Sequence, residues 1–167
     1  MKKISEEKLK DAFAGESQAH VRYLNFAERA ERDGHANVAR LFQAAAFSEQ
    51  MHAGNHLRAL DGVQTTGANL EGAIAGETFE VEDMYPAYKA VAEAEGEKKA
   101  LRSMDWALQA ERVHAALFTR AKQSVEAGQD LEAAPIWVCS VCGFTMEDEM
   151  PDVCPVCGAR HDKFRAF

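Results

Sequence analysis

The chain has 167 residues, 47% of them apolar and 28% charged, and a formal net charge of -8. That length supports one sizeable core plus a small appendage. The acidic balance argues against nucleic acid as the main partner, and no apolar run approaches the ~20 residues of a membrane span. The N-terminal stretch Met1 to Glu7 offers no apolar segment that could serve as a signal peptide. All four cysteines fall between Cys139 and Cys157, in two Cys-x-x-Cys pairs. Without an export signal, that pattern predicts metal binding in a cytoplasmic protein rather than disulfides.

Ser5 is a suitable N-cap, with Glu6 and Glu7 at the positive end of the first predicted helix. Leu9, Phe13, Ala19, Tyr23, Phe26 and Ala30 recur at helical spacing until Asp33-Gly34 ends the segment. Glu16 lies on that apolar face, where a charge is costly without a partner. The second helix is expected over about 36–60, with Val38, Leu41, Phe42, Ala45, Glu49, His52 and His56 on its buried face. A connector containing Thr65, Thr66 and Gly67 follows. The third helix is expected from near Leu70 to about Glu95, its start weakened by Gly72 and Gly76 and its course kinked at Pro86. The fourth follows Gly96 and runs to about Ala127, carrying Leu101, Met104, Leu108, Glu111, His114, Ala115 and Phe118.

Near Pro135 the character changes to cysteine knuckles, prolines and clustered charge. The expected domains are 1–134, a helical bundle, and 135–167, a small metal domain with Trp137, Phe144, Phe164 and Phe167 as its little core.

Glu49-x-x-His52 and Glu111-x-x-His114 each put a carboxylate and an imidazole one turn apart on one helix face. Glu16 precedes Glu49 by 33 residues, and Glu77 precedes Glu111 by 34. Two helix pairs, each contributing Glu and then Glu-x-x-His, form the ligand set of a carboxylate-bridged di-metal site in a four-helix bundle. Taken singly, each glutamate reads as a solvated helix residue; the repeat makes the set a site. Glu80, one turn beyond Glu77, has only Ala19 as its counterpart and breaks the symmetry. Oxygen donors with a few imidazoles suit iron or manganese. Cys139, Cys142, Cys154 and Cys157 form a four-thiolate site for zinc or for a single redox-active iron. His20 and His56 are expected to be packed or surface histidines rather than ligands.

Phe13-Ala-Gly-Glu16-Ser-Gln, Glu49-x-x-His52, Glu77-x-x-Glu80 with Met84-Tyr85-Pro86, Glu111-x-x-His114 and Cys154-Pro-Val-Cys157-Gly together resemble the rubrerythrin family, across both domains and in family order. The resemblance implies a ferritin-like four-helix bundle followed by a rubredoxin-like iron domain. It implies reduction of hydrogen peroxide at a non-haem di-iron site, in protection against oxidative stress. Electrons would pass through the cysteine-held iron from an external donor, a rubredoxin or a flavoprotein reductase. By motif position it implies that Glu49 and Glu111 bridge the irons, that Glu16 binds one iron, and that Glu77 and His114 bind the other. Glu80 and His52 would alternate on the first iron, and Tyr23 and Tyr85 would donate hydrogen bonds to ligands or peroxide. The competing expectations are a ferroxidase or iron-storage protein on the same bundle, and a non-enzymatic module with a zinc ribbon.

Assembly is expected to be a homodimer. In a ferritin-like bundle the second and third helices run parallel, so the chain must return along the bundle between them. Bringing Glu49 and Glu77 to one level requires about 28 Å of connector, against at most ~30 Å from Asp61 to Leu70. One solution exchanges the first and second helices with the third and fourth between two chains. The other starts the third helix late, near Gly76.

Overall fold

The computed structural model describes residues 1–147 and 149–167. It divides into two units, residues 1–64 and 65–167.

The first unit is a helical hairpin of α1 (Lys3–Arg32) and α2 (Ala36–Ala59). The turn is closed by the Gly34 amide donating to the Glu31 carbonyl at 3.0 Å and by the His35 amide donating to the Ala30 carbonyl at 2.8 Å. The buried residues of the hairpin are alanines: Ala27 and Ala30 on α1, and Ala39, Ala46 and Ala53 on α2. Small side chains let two backbones approach closely, so this seam excludes bulk rather than filling a wide core. Leucine in place of Ala46, which is fully enclosed, is expected to cost about 1–3 kcal/mol by overpacking, read by thermal unfolding. Tyr23, Phe26 and Phe42 cluster near one end, with Phe26 edge-on to Phe42 at 5.5 Å. The seam corrects an expectation: Val38 and Leu41, expected inside, are 46% and 68% exposed, and Phe26 is exposed too. The 3.6-residue period identified an apolar side of each helix, but it did not say which part of that side faces the partner helix.

The second unit begins with α3 (Thr66–Phe79), followed by a π-helical turn over Glu80–Met84, α4 (Tyr85–Glu95) and α5 (Lys98–Glu126). Thr65 caps α3, its side chain accepting from the Ala68 amide. The helix therefore starts before Leu70, and the late start near Gly76 does not occur. At Pro86 the expected single long helix is interrupted instead by the π turn, and a new helix, α4, begins. The Tyr85 amide reaches the Glu80 carbonyl five residues back, and Pro86 lies in the first turn of α4, where its missing N–H is tolerated. α5 packs against α3 and α4, and Lys89 Nζ donates to Asp105 Oδ1 between α4 and α5.

Past α5 the described residues form three short antiparallel strands: β1 (Ile136–Cys139), β2 (Thr145–Glu147) and β3 (Phe164–Ala166), in the order β2-β1-β3. The enclosed residues here are Cys139, Cys154 and Thr145. The sulfurs, not the aromatics, are the centre of this domain. Phe167 is exposed, its ring covered by the Arg165 guanidinium at 4.7 Å, which corrects its expected place in the core. No helix among the described residues is long and apolar enough to cross a membrane.

Candidate metal centres

The two cysteine knuckles share one backbone design. The Gly143 amide donates to the Cys139 carbonyl at 2.8 Å, and the Gly158 amide donates to the Cys154 carbonyl at 3.0 Å. Both glycines hold positive φ, 81° and 76°, which a side chain would strain. The chain thereby turns each Cys-x-x-Cys back on itself. The four sulfur atoms lie within 4.8 Å of one another. Cys139 and Cys157 are 3.7 Å apart, and Cys142 and Cys154 are 3.6 Å apart. Sulfurs about 2.3 Å from a central ion form a tetrahedron with edges of roughly 3.8 Å, so the separations fit one tetrahedral ion. Burial raises the Cys142 and Cys157 thiols, against amide donation from Phe144 and Ala159 respectively. Burial acts in the same sense on Cys154, but amides of Cys157 and Val156 donating to its sulfur hold it below the usual thiol range. Amides aimed at the sulfurs are the surroundings of thiolates, the form that binds metal.

Each unit carries one carboxylate–imidazole triad. In the first, Glu16 of α1 meets Glu49 and His52 of α2, with one ligand atom from each within 4.8 Å of the others. Glu49 Oε2 lies 2.8 Å from His52 Nδ1, and the His52 side chain is 51% exposed. In the second, Glu77 of α3 meets Glu111 and His114 of α5 within the same limit. Glu111 Oε2 lies 2.6 Å from His114 Nδ1, and His114 is 29% exposed. Burial, then a hydrogen bond with Glu111 and the Glu111 charge, pushes the Glu77 carboxyl up to about 7, while His114 pulls the other way. Carboxylates held this close share a proton or a cation.

Glu80 opens the π turn. Its carboxyl is raised by burial and then by the Glu111 charge. The Tyr85 phenol is raised by burial and then by the carboxylates of Glu80, Glu111 and Glu77. Glu80 and Tyr85 thus feel the second triad's charge, though Glu80 is outside the 4.8 Å set. Tyr23 lies in the first unit among Phe26 and Phe42. His20 Nδ1 donates to the Ala46 carbonyl at 2.8 Å, the packed histidine expected.

One residue escaped the sequence reading. Thr145, 5% exposed, places its hydroxyl 2.8 Å from His114 Nε2 and donates to the Gly143 carbonyl at 3.2 Å. Thr145 follows Cys142 by three residues, and no spacing signal marks it. Beside it Arg120 of α5 pairs with Glu147 of β2. His114 Nδ1 and Glu111 Oε2, 2.6 Å apart, are close enough to share a proton, and both are donor atoms of the kind a metal ion takes. The donor set fits iron at the triads, and the four sulfurs fit it in the small domain.

The rubrerythrin family pattern matches residues 7–122, and that of the rubrerythrin rubredoxin-like domain matches 137–165. Rubrerythrin-2 of Clostridium acetobutylicum is 43% identical over 173 residues, covering 95% of this chain and 94% of its own length. Nigerythrin of Nitratidesulfovibrio vulgaris is 33% identical, covering 96% and 85% respectively. A solved structure of nigerythrin in its fully reduced, all-ferrous state aligns over 97% of this chain and 86% of its own at 32% identity, with a TM-score of 0.57. Helical ligand pairs, four-sulfur domain and relatives agree: the chain belongs to the rubrerythrin family, with a ferritin-like domain followed by a rubredoxin-like one.

Proposed function

We propose that this protein is a cytoplasmic peroxide reductase of the rubrerythrin type, protecting against oxidative stress. One observation carries the reading. A single chain holds two donor sets of opposite character: oxygen–nitrogen triads within the helical units and four sulfurs in the appended domain. Storage of iron needs only the first. The second is an electron inlet, fed by an external reduced rubredoxin or flavoprotein reductase.

Glu16, Glu49, His52, Glu77, Glu80, Glu111 and His114 would hold two irons, with Glu49 and Glu111 between them. Cys139, Cys142, Cys154 and Cys157 would hold the third. Iron at the triads would supply two electrons, replaced one at a time through the sulfur site, so that hydrogen peroxide and two protons become two waters. The chain's own part is to place protons. Tyr85, held beside three carboxylates, keeps its phenolic proton and can donate it in a hydrogen bond to an oxygen ligand. Tyr23 is assigned the same role in the other unit. Glu77, with its carboxyl near 7 in the metal-free chain, would give up that proton when iron binds. Glu80 and His52 are assigned as the exchanging pair, the anion favoured when the ion is more positive.

The visible spectrum of the iron-loaded protein tests this. A red, thiolate-type absorption that reductant bleaches and stoichiometric peroxide restores is expected. Reoxidation by oxygen with no preference for peroxide would favour ferroxidase storage. A colourless protein with zinc in the sulfur site would favour the non-redox module.

The functional unit we propose is a homodimer in which α1 and α2 of one chain pair with α3 to α5 of the other. Glu49 lies ten residues before Ala59, and Glu77 eleven beyond Thr66. At 1.5 Å per residue, a parallel return within one chain must cover about 31 Å. The seven steps from Ala59 to Thr66 span at most ~25 Å. The parallel orientation is the ferritin-like one. It would also run α2 and α5 in opposite directions, leaving His52 and His114 to hold one ion each. Exposed Val38, Leu41 and Phe47 on α2 add apolar surface for a second copy to cover.

A further inference from the structure

We propose that Thr145 is a positioning residue for His114, through which the four-cysteine domain keeps Nδ1 of that ring free for metal. The inference rests on the assignment of the second triad as a metal site. The Thr145 side chain is enclosed and has one proton to give. It gives that proton to the Gly143 carbonyl at 3.2 Å. Its oxygen is then an acceptor, and the only complementary state of His114 Nε2, 2.8 Å away, is N–H. A ring with its proton fixed at Nε2 presents Nδ1, 2.6 Å from Glu111 Oε2, as the nitrogen whose lone pair is open to metal. The opposite tautomer would close Nδ1 with a proton aimed at the Glu111 carboxylate and would block the site.

Gly143 is also the left-handed residue of the first cysteine knuckle, and the Phe144 amide donates to Cys142 sulfur. The acceptor that orients Thr145 is therefore part of the loop that the sulfur-bound ion holds in shape. A disordered knuckle would release the Gly143 carbonyl, free the Thr145 proton to turn toward Nε2, and let the ring adopt the wrong tautomer. His52 has its own carboxylate at the same spacing, while the strand that reaches His114 belongs to the sulfur domain.

The test reads ring nitrogens by 15N NMR in the full-length protein, its sulfur site filled with Zn2+ and its triads metal-free, and Fe2+ affinity at the triads by titration. In the unaltered protein His114 Nε2 is expected to carry a proton. Thr145→Val, which keeps the shape and removes the hydroxyl, is expected to move the proton to Nδ1 and to weaken Fe2+ binding by about 10- to 100-fold. Thr145→Ser is expected to restore both. An unprotonated Nε2 in the unaltered protein overturns the proposal without any variant being needed. So does a Thr145→Val protein whose tautomer and affinity are unchanged, or a Thr145→Ser protein as impaired as Thr145→Val, which would reduce the contact to packing. None of these readouts uses peroxide, so failure of the peroxidase reading is separately visible.

Discussion

The two triads are built from the same letters at the same spacing, yet they are set differently. Glu16, Glu49 and His52 lie in an alanine-seamed hairpin, and the His52 side chain is half exposed. Glu77, Glu111 and His114 lie in a unit that adds a π turn with Glu80, a tyrosine among carboxylates and a strand bonded to His114. A repeat fixes which atoms can bind, and what is attached to each copy decides how firmly they are held. One imidazole is half open to solvent; the other has a strand hydroxyl 2.8 Å behind it.

The largest effect comes from breaking each triad in a different chain. Glu49→Ala disables the first triad and Glu111→Ala the second, and each variant alone is expected to lose paired-iron binding and turnover. Co-expressed, they should regain about a quarter of the unaltered activity if helix pairs are exchanged. Half the dimers are then mixed, and each mixed dimer assembles one intact site and one doubly broken site. If each chain closes its own site, the mixture stays inactive, and iron counting on the purified mixed dimer decides between the two.

Next in size is the contrast between the two histidines. His114→Ala is expected to empty the second triad and to reduce turnover by at least about 100-fold, since on the proposed assignment a permanent ligand and its bonded strand contact are lost together. His52→Ala should retain oxidised iron, where Glu80 can serve, and fail mainly on reduction. Iron content measured before and after dithionite separates them; equal losses in both states would remove the asymmetry. Glu80→Ala is the complementary change. Metal content should stay nearly intact while peroxide turnover falls by roughly 10-fold or more, and unchanged stopped-flow turnover would end the ligand-exchange assignment.

The two triads that the structure brings together were legible because metal binding imposes spacing. Glu-x-x-His is a helical turn written in sequence, and two copies 62 residues apart are hard to explain otherwise. The sulfur knuckles were legible for the same reason. Three features were not. A π turn of five residues changes the helical period too briefly for apolar spacing to register, and Pro86 reads as interior to one long helix when it lies in the first turn of α4. The alanine seam shows only as small residues among larger apolar ones, so Val38 and Leu41 drew the eye to the wrong side of α2. Thr145 is bonded to a residue 31 positions away, and a threonine beside a cysteine knuckle carries no periodic mark.

The smallest effect concerns protons, and it belongs to the second triad. Burial and Glu111 hold the Glu77 carboxyl at about 7 in the metal-free chain, against an ordinary value of 4.5. A carboxyl raised on folding favours the folded state while it stays protonated. Its contribution is complete below about 4.5 and is lost as pH rises through 7. The metal-free protein should therefore melt a few degrees lower at pH 8 than at pH 5 on account of this group, and Glu77→Gln should flatten that slope. Metal binding has the opposite sign, because the ion needs the carboxylate: Fe2+ uptake at this triad should strengthen between pH 5 and pH 7 and release about one proton from Glu77. Calorimetry in two buffers of different ionisation enthalpy counts that proton. A count that Glu77→Gln does not lower would place the proton on another group and would remove Glu77 from the pH dependence of the second triad.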